Sequence, residues 1–171
     1  MTRTRTVTWS DPKETAALAR ERDGLDFLRA AVAGELPPPP VLALLGARLV
    51  SAEKGEVVFE LDPEEYHYNP IGTVHGGVHA TLLDSAAGCA VHSLLAAGTA
   101  YTSLDLAVRF LRPIISETGT VTCTGTVVHH GRRTALAEAR LTDRDGRLLA
   151  TASSTCLIQA KAVTSRAGRS R

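Results

Sequence analysis

The sequence is poor in aromatic residues, with three Phe, three Tyr and one Trp among 171 residues. Leu, Val and Ala must therefore fill the core, and base-stacking platforms of the single-strand-binding kind are not expected. It also lacks an excess of either charge: 19 Lys and Arg against 18 Asp and Glu leave a formal charge of +1. That balance offers no footprint for nucleic acid or an anionic membrane surface as a partner. Paired cysteines are missing too. Cys89, Cys123 and Cys156 are an odd number, far apart, with no CxxC or Cys/His ligand spacing. They read as free, small buried hydrophobes in a reducing compartment, with no disulfide and no metal site implied. No run approaches the ~18 apolar residues of a membrane span, and the opening MTRTRTVTWSDPKE has no apolar signal stretch, so a soluble cytoplasmic protein is expected.

What is present is enough apolar content, 44%, for one domain with a sizeable core. The polar arm Thr2 to Thr8 is followed by a helical pattern over Pro12 to Ala33, with Asp11 or Ser10 as cap, Pro12 at the first helical position and Gly34 as terminator. The four prolines Pro37 to Pro40 then dictate an extended spacer, because they fix φ and lack amide donors. A short helix over Val41 to Leu45 leads into strands Arg48 to Ser51 and Glu56 to Leu61, joined by a turn at Lys54-Gly55. Gly77 to about Ala97 is apolar on nearly every side and predicts a helix buried all round. Four strands follow, at Ser103 to Phe110, Thr118 to His129, Thr134 to Asp143 and Arg147 to Gln159, with Arg144-Asp145-Gly146 as a hairpin turn. This order predicts an α+β fold, an antiparallel sheet wrapped around one long buried helix. Residues 1–40 read as an arm, helix and proline spacer, 41–160 as the main domain, and 161–171 as a basic flexible tail.

The chemistry concentrates in Asn69-Pro70-Ile71-Gly72-Thr73-Val74-His75-Gly76-Gly77 and in Asp84. A carboxylate set among Leu82, Leu83, Ala86 and Ala87 must be paired, neutralised or used, since burying it alone costs several kcal/mol. A structural hydrogen bond to a neighbouring strand or subunit and a functional role both fit the pattern. The glycine pair falls where the helix should begin. Unsatisfied amides there carry partial positive charge, and glycine lets a carbonyl approach closely, although turn geometry alone also explains the pair.

Taken together, NPIGTVHGGVHATLLDSAAG resembles the Asn, His-Gly-Gly and Asp signature of hotdog-fold thioesterases of the PaaI type, the phenylacetate-pathway acyl-CoA thioesterase group. The resemblance extends through TSLDLAVRFLRP (Thr102 to Pro113), Gly131-Arg132 and Asp145-Gly146-Arg147, over about residues 41–160. It implies dimers, usually paired into homotetramers, with active sites at the subunit interface, and hydrolysis of an acyl-CoA without metal or organic cofactor. By position, Asp84 would activate water or act as nucleophile, and the Gly76 amide, with Gly77, would polarise the thioester carbonyl. His75 would orient that loop or bond near the thioester, and Asn69 would help position water. An auxiliary hydroxyl falls on Thr102 or Ser103, which spacing does not separate.

Coenzyme A carries phosphates, so Arg112, Arg132 and Arg133 at loops after strand-like segments are candidate contacts, against the alternative of solvated or ion-paired arginines. Tyr66, Tyr68 and His79 could bound the acyl pocket, and aryl, phenylacetyl and medium-chain groups all fit. His129-His130 is no metal pair, because adjacent strand residues point to opposite faces. Two other readings compete: a hotdog hydratase or dehydratase using His75 and Asp84 for proton transfer at carbon, and a non-catalytic acyl-CoA-binding module.

Overall fold

A computed structural model describes residues 1–159 of the chain; the tail expected over residues 161–171 lies outside them. Among the described residues, four α-helices and seven strands follow one another as α1 (Pro12–Glu21), α2 (Gly24–Val32), α3 (Pro40–Leu45), β1 (Arg48–Glu53), β2 (Glu56–Leu61), α4 (Gly76–His92), β3 (Ala100–Ser103), β4 (Ala107–Phe110), β5 (Val121–His130), β6 (Thr134–Thr142) and β7 (Leu148–Gln159). The strands make one antiparallel sheet in the order β1-β2-β5-β6-β7-β3, with β4 on β7 beside β3. This is the hotdog fold, with α4 as the filling.

Alternation places the core. On β6, Ala135, Ala137, Ala139 and Leu141 are buried while their neighbours are exposed or half-buried, and Val57, Phe59, Leu61, Val121 and Cys123 close the layer on the adjoining strands. Against them lie Leu82, Leu83, Ala86, Ala87, Ala90 and Val91 of α4. The sheet and helix approach closely at one point: a Cβ at Gly125 would lie 2.1 Å from the Ala86 carbonyl oxygen.

Three expectations need correcting. The helix expected over Pro12 to Ala33 is two helices, because Arg22 and Asp23 turn extended. Asp23 Oδ1 accepts from the Ala97 amide, and the Gly24 amide donates to the Leu95 carbonyl, so both are drawn to the end of α4. The buried helix stops at His92, five residues before Ala97. Ser93 Oγ donates to the Ala90 carbonyl (2.7 Å) and accepts from the Gly55 amide (2.8 Å), pinning the helix end to the β1–β2 turn. Finally, the strand expected over Ser103 to Phe110 is β3 and β4 with a break at Asp105. There Asp105 Oδ1 accepts from the Thr155 amide and its carbonyl accepts from Ser154 Oγ, replacing ladder bonds.

Candidate active site

The loop before α4 is built by its own side chains. Asn69 Oδ1 accepts from the amides of Ile71 (3.0 Å) and Thr73 (3.3 Å), and its Nδ2 donates to Thr73 Oγ1 (3.1 Å). This turns the chain through Gly72, whose φ of 84° an L side chain rarely adopts. The Val74 amide then donates to Ile114 and the His75 amide to His67. His75 becomes the N-cap: its Nδ1 accepts from the Gly77 amide at 2.8 Å. A neutral His75 therefore carries its proton on Nε2, at an exposed edge of the ring. With Gly77 occupied in this way, Gly76 at the first helical position is the amide left without an intrahelical acceptor.

Asp84 is half-buried on the outward side of α4, and Ser103 Oγ donates to its Oδ1 at 2.9 Å. Ser103 belongs to β3 and pairs with Cys156, whereas Thr102 pairs with Leu157, points to the other face and is exposed. The carboxylate opens into a groove lined by Ala80, Thr81, Ser103, Leu104, Asp105 and Leu106. A second groove meets it at Thr81 and holds His75, Gly77, Tyr66, Tyr68, Leu44 and Arg5. Its far wall is fixed by Arg5, whose guanidinium stacks on Tyr66 at 3.9 Å and donates to the Leu44 and Ala43 carbonyls.

A third groove lies on the opposite flank of the α4 N-terminus, lined by Thr73, Gly76, His79, Phe110, Arg112 and Pro113. Arg112 Nη1 donates to the Leu148 carbonyl, anchoring that arginine beside it. Arg132 and Arg133 are exposed at the β5–β6 turn and line none of the three grooves. Burial pushes the thiols of Cys89 and Cys123 up to about 12, so neither is a nucleophile at neutral pH.

Within one chain these residues form two separate groups. Asp84 and Ser103 stand together, and Asn69, His75, Gly76 and Gly77 stand together. Asp84 stands eight residue steps along the helix from Gly76, about 12 Å along the axis. Arg5 is a groove-lining residue that no local pattern marks, because it reads as part of a polar arm, whereas Phe110 falls in the TSLDLAVRFLRP segment that carries the resemblance.

The thioesterase superfamily matches residues 71–150 of the chain. Over 104 residues the chain is 35% identical to the human acyl-coenzyme A thioesterase 13, covering 60% of this chain and 72% of that protein. It is 29% identical over 117 residues to the 1,4-dihydroxy-2-naphthoyl-CoA hydrolase of Listeria monocytogenes, covering 68% and 94%. Among solved structures, a phenylacetic acid degradation-related protein of Ralstonia eutropha superposes with a TM-score of 0.68 at 28% identity, over 76% of this chain and 98% of that one.

Proposed function

The chain belongs to the thioesterase superfamily, and from that premise we propose that it hydrolyses an acyl-CoA thioester to the free acid and CoA, at a site completed by two copies of the chain. The observation that carries this reading is the pair of half-sites on α4: a carboxylate held by Ser103 in an open groove, and a histidine-capped glycine turn that leaves one amide free. Each supplies half of what ester hydrolysis needs, and a single helix holds them too far apart to act on one carbonyl carbon. The edge strand β3, unpaired on its outer side among the described residues, brings Asp84 and Ser103 to a margin where a second copy can dock.

In the assembled site the Gly76 amide of one copy polarises the thioester oxygen at the positive end of α4, and Asp84 of the other faces the carbonyl carbon. As general base, Asp84 takes a proton from water while the water oxygen bonds to carbon. The C–S bond then breaks, and the leaving thiolate recovers that proton. As nucleophile, Asp84 forms an acyl anhydride that water hydrolyses, with the same net products. In a single turnover in 18O-water, label in the Asp84 carboxylate identifies the anhydride route with water attacking at the Asp84 carbon, because the general-base route leaves both Asp84 oxygens unexchanged. His75 holds the turn and presents Nε2–H toward the substrate groove, and Asn69 sets the loop that carries His75 and the water. Arg112, and Arg132 and Arg133 from the β5–β6 turn, supply guanidiniums for the phosphates of CoA. No step requires a metal or an organic cofactor.

The test is release of CoA and acid from aryl, phenylacetyl and C4 to C16 acyl-CoA esters, with the acid followed by chromatography so that the three thiols do not interfere. Wild type is expected to hydrolyse at least one ester class, and folded Asp84→Ala to lose about 100-fold or more in kcat. Binding of the esters without turnover by wild type would contradict the proposal and leave an acyl-CoA-binding module in its place.

A further inference from the structure

Among the described residues, His79 is the buried side chain whose two polar atoms both lack partners: it is 4% exposed, and neither Nδ1 nor Nε2 makes a hydrogen bond. Leaving an imidazole in that state is unfavourable, and an apolar residue would fill the position without that penalty. The ring nevertheless has a defined place. Side chains on a helix lean toward its N-terminus, so His79, one turn into α4, lies back over the turn that begins at Gly76. Both residues line the third groove. Phe110 covers both: its ring packs on His79 with centroids 5.6 Å apart, and a Cβ on Gly76 would come within 3.1 Å of Phe110 Cζ. Phe110 is itself 55% exposed, at the end of β4, so it has open space to turn into.

We propose that His79 is a second hydrogen-bond donor to the thioester oxygen, one helical turn from the Gly76 amide, and that substrate reaches both donors when the Phe110 ring turns aside. The inference rests on the thioesterase reading above and adds to it a donor from the side chains of the same α4 turn. Burial lowers the His79 pKa, which keeps the ring neutral at pH 7, with one N–H to give. No proton is transferred in this role. The ring donates to the oxygen as negative charge develops there and keeps its hydrogen when the carbonyl re-forms. A donor that meets its acceptor only when substrate binds has no partner beforehand, and His79 has none among the described residues.

The experiment compares His79→Phe and His79→Gln with wild type on an ester that wild type hydrolyses, and reads kcat, KM and Tm together. His79→Phe is expected to lower kcat by about 10- to 100-fold with KM changed less than about three-fold, while Tm stays level or rises. His79→Gln, which retains a donor, should recover part of kcat. In the infrared, the carbonyl stretch of a bound 13C-labelled ketone analogue of the ester should move to higher frequency in His79→Phe than in wild type. A His79→Phe variant with kcat within about two-fold of wild type overturns the inference and leaves the thioesterase reading intact. A Phe variant that fails to fold or melts lower also overturns it, because the ring then has a structural role. If wild type hydrolyses no ester, the thioesterase reading fails and this inference goes with it.

Discussion

Ser103 and Thr102 adjoin in sequence and differ in every consequence. The side-chain period of two puts Ser103 on the helix side of β3, within 2.9 Å of Asp84 Oδ1, and Thr102 on the other. Removing a hydrogen bond to a charged carboxylate is worth roughly 1.5–3 kcal/mol. Ser103→Ala should therefore lower kcat/KM by about ten-fold or more, and Thr102→Ala by less than two-fold, in parallel assays. Equal effects would contradict the placement. Composition and spacing pointed to Asp84 because a carboxylate amid Leu and Ala stands out. The choice between the two hydroxyls was not legible, since it depends on the register of β3 against β7. Three histidines supply a second residue-scale expectation. His67, His79 and His92 all have pKa values lowered from 6.5, chiefly by burial. The unfolded chain then binds more protons than the native state below that pH, so stability is full above about pH 6.5 and falls as pH drops toward the native values. The urea midpoint should be lower at pH 5.5 than at pH 7.5, well above the range in which Asp62, its pKa lowered from 3.8 by Thr120 and Arg48, titrates. His79→Phe should flatten that dependence. A wild-type midpoint equal at the two pH values would contradict it.

Elements were more legible in kind than in extent. β6 reads directly from its alternation of buried alanines with polar residues, and α4 from its unbroken apolar circumference. Their ends do not, because partners distant in sequence set them: Ser93 bonds to the Gly55 amide, Asp23 accepts from Ala97, and Asp105 substitutes for ladder bonds on β7. The first helical stretch divides for the same reason, since Gly24 must pass the α4 terminus so closely that a Cβ there would lie 1.8 Å from the His92 carbonyl oxygen. Gly125 plays the matching part between β5 and α4, facing backbone that cannot move aside as a side chain could. Gly125→Ala should destabilise the fold by about 1–3 kcal/mol or more, read as a lower urea midpoint with an unchanged m-value. A stability equal to wild type would mean that the helix and sheet are not in the contact described. Gly88→Ala meets only the end of the Tyr101 side chain at 3.0 Å and should be milder.

At the scale of the whole molecule, one chain carries the two groups of candidate residues on one helix and, among the described residues, an edge strand with an open side. The separation of the candidate residues follows from placing Gly76 and Asp84 on one straight helix, an arrangement that the spacing of the glycine pair and Asp84 in the sequence already implies. If two copies complete the site, the missing partner of each half lies in the other copy, as closed two-fold symmetry requires. The most direct test uses two inactive variants. Asp84→Ala lacks the carboxylate. Gly76→Pro lacks the amide donor, at a first helical position that tolerates proline, after a His75 already extended at φ −62° and ψ 137°. Co-assembled by joint refolding, mixed dimers hold one site with Asp84 from one copy and Gly76 from the other. An equal mixture should recover about a quarter of wild-type activity, since half of randomly formed dimers are mixed and each has one intact site. Mixed dimers verified by mass spectrometry that remain as inactive as either parent, beside an active wild type, would contradict a site shared between two copies.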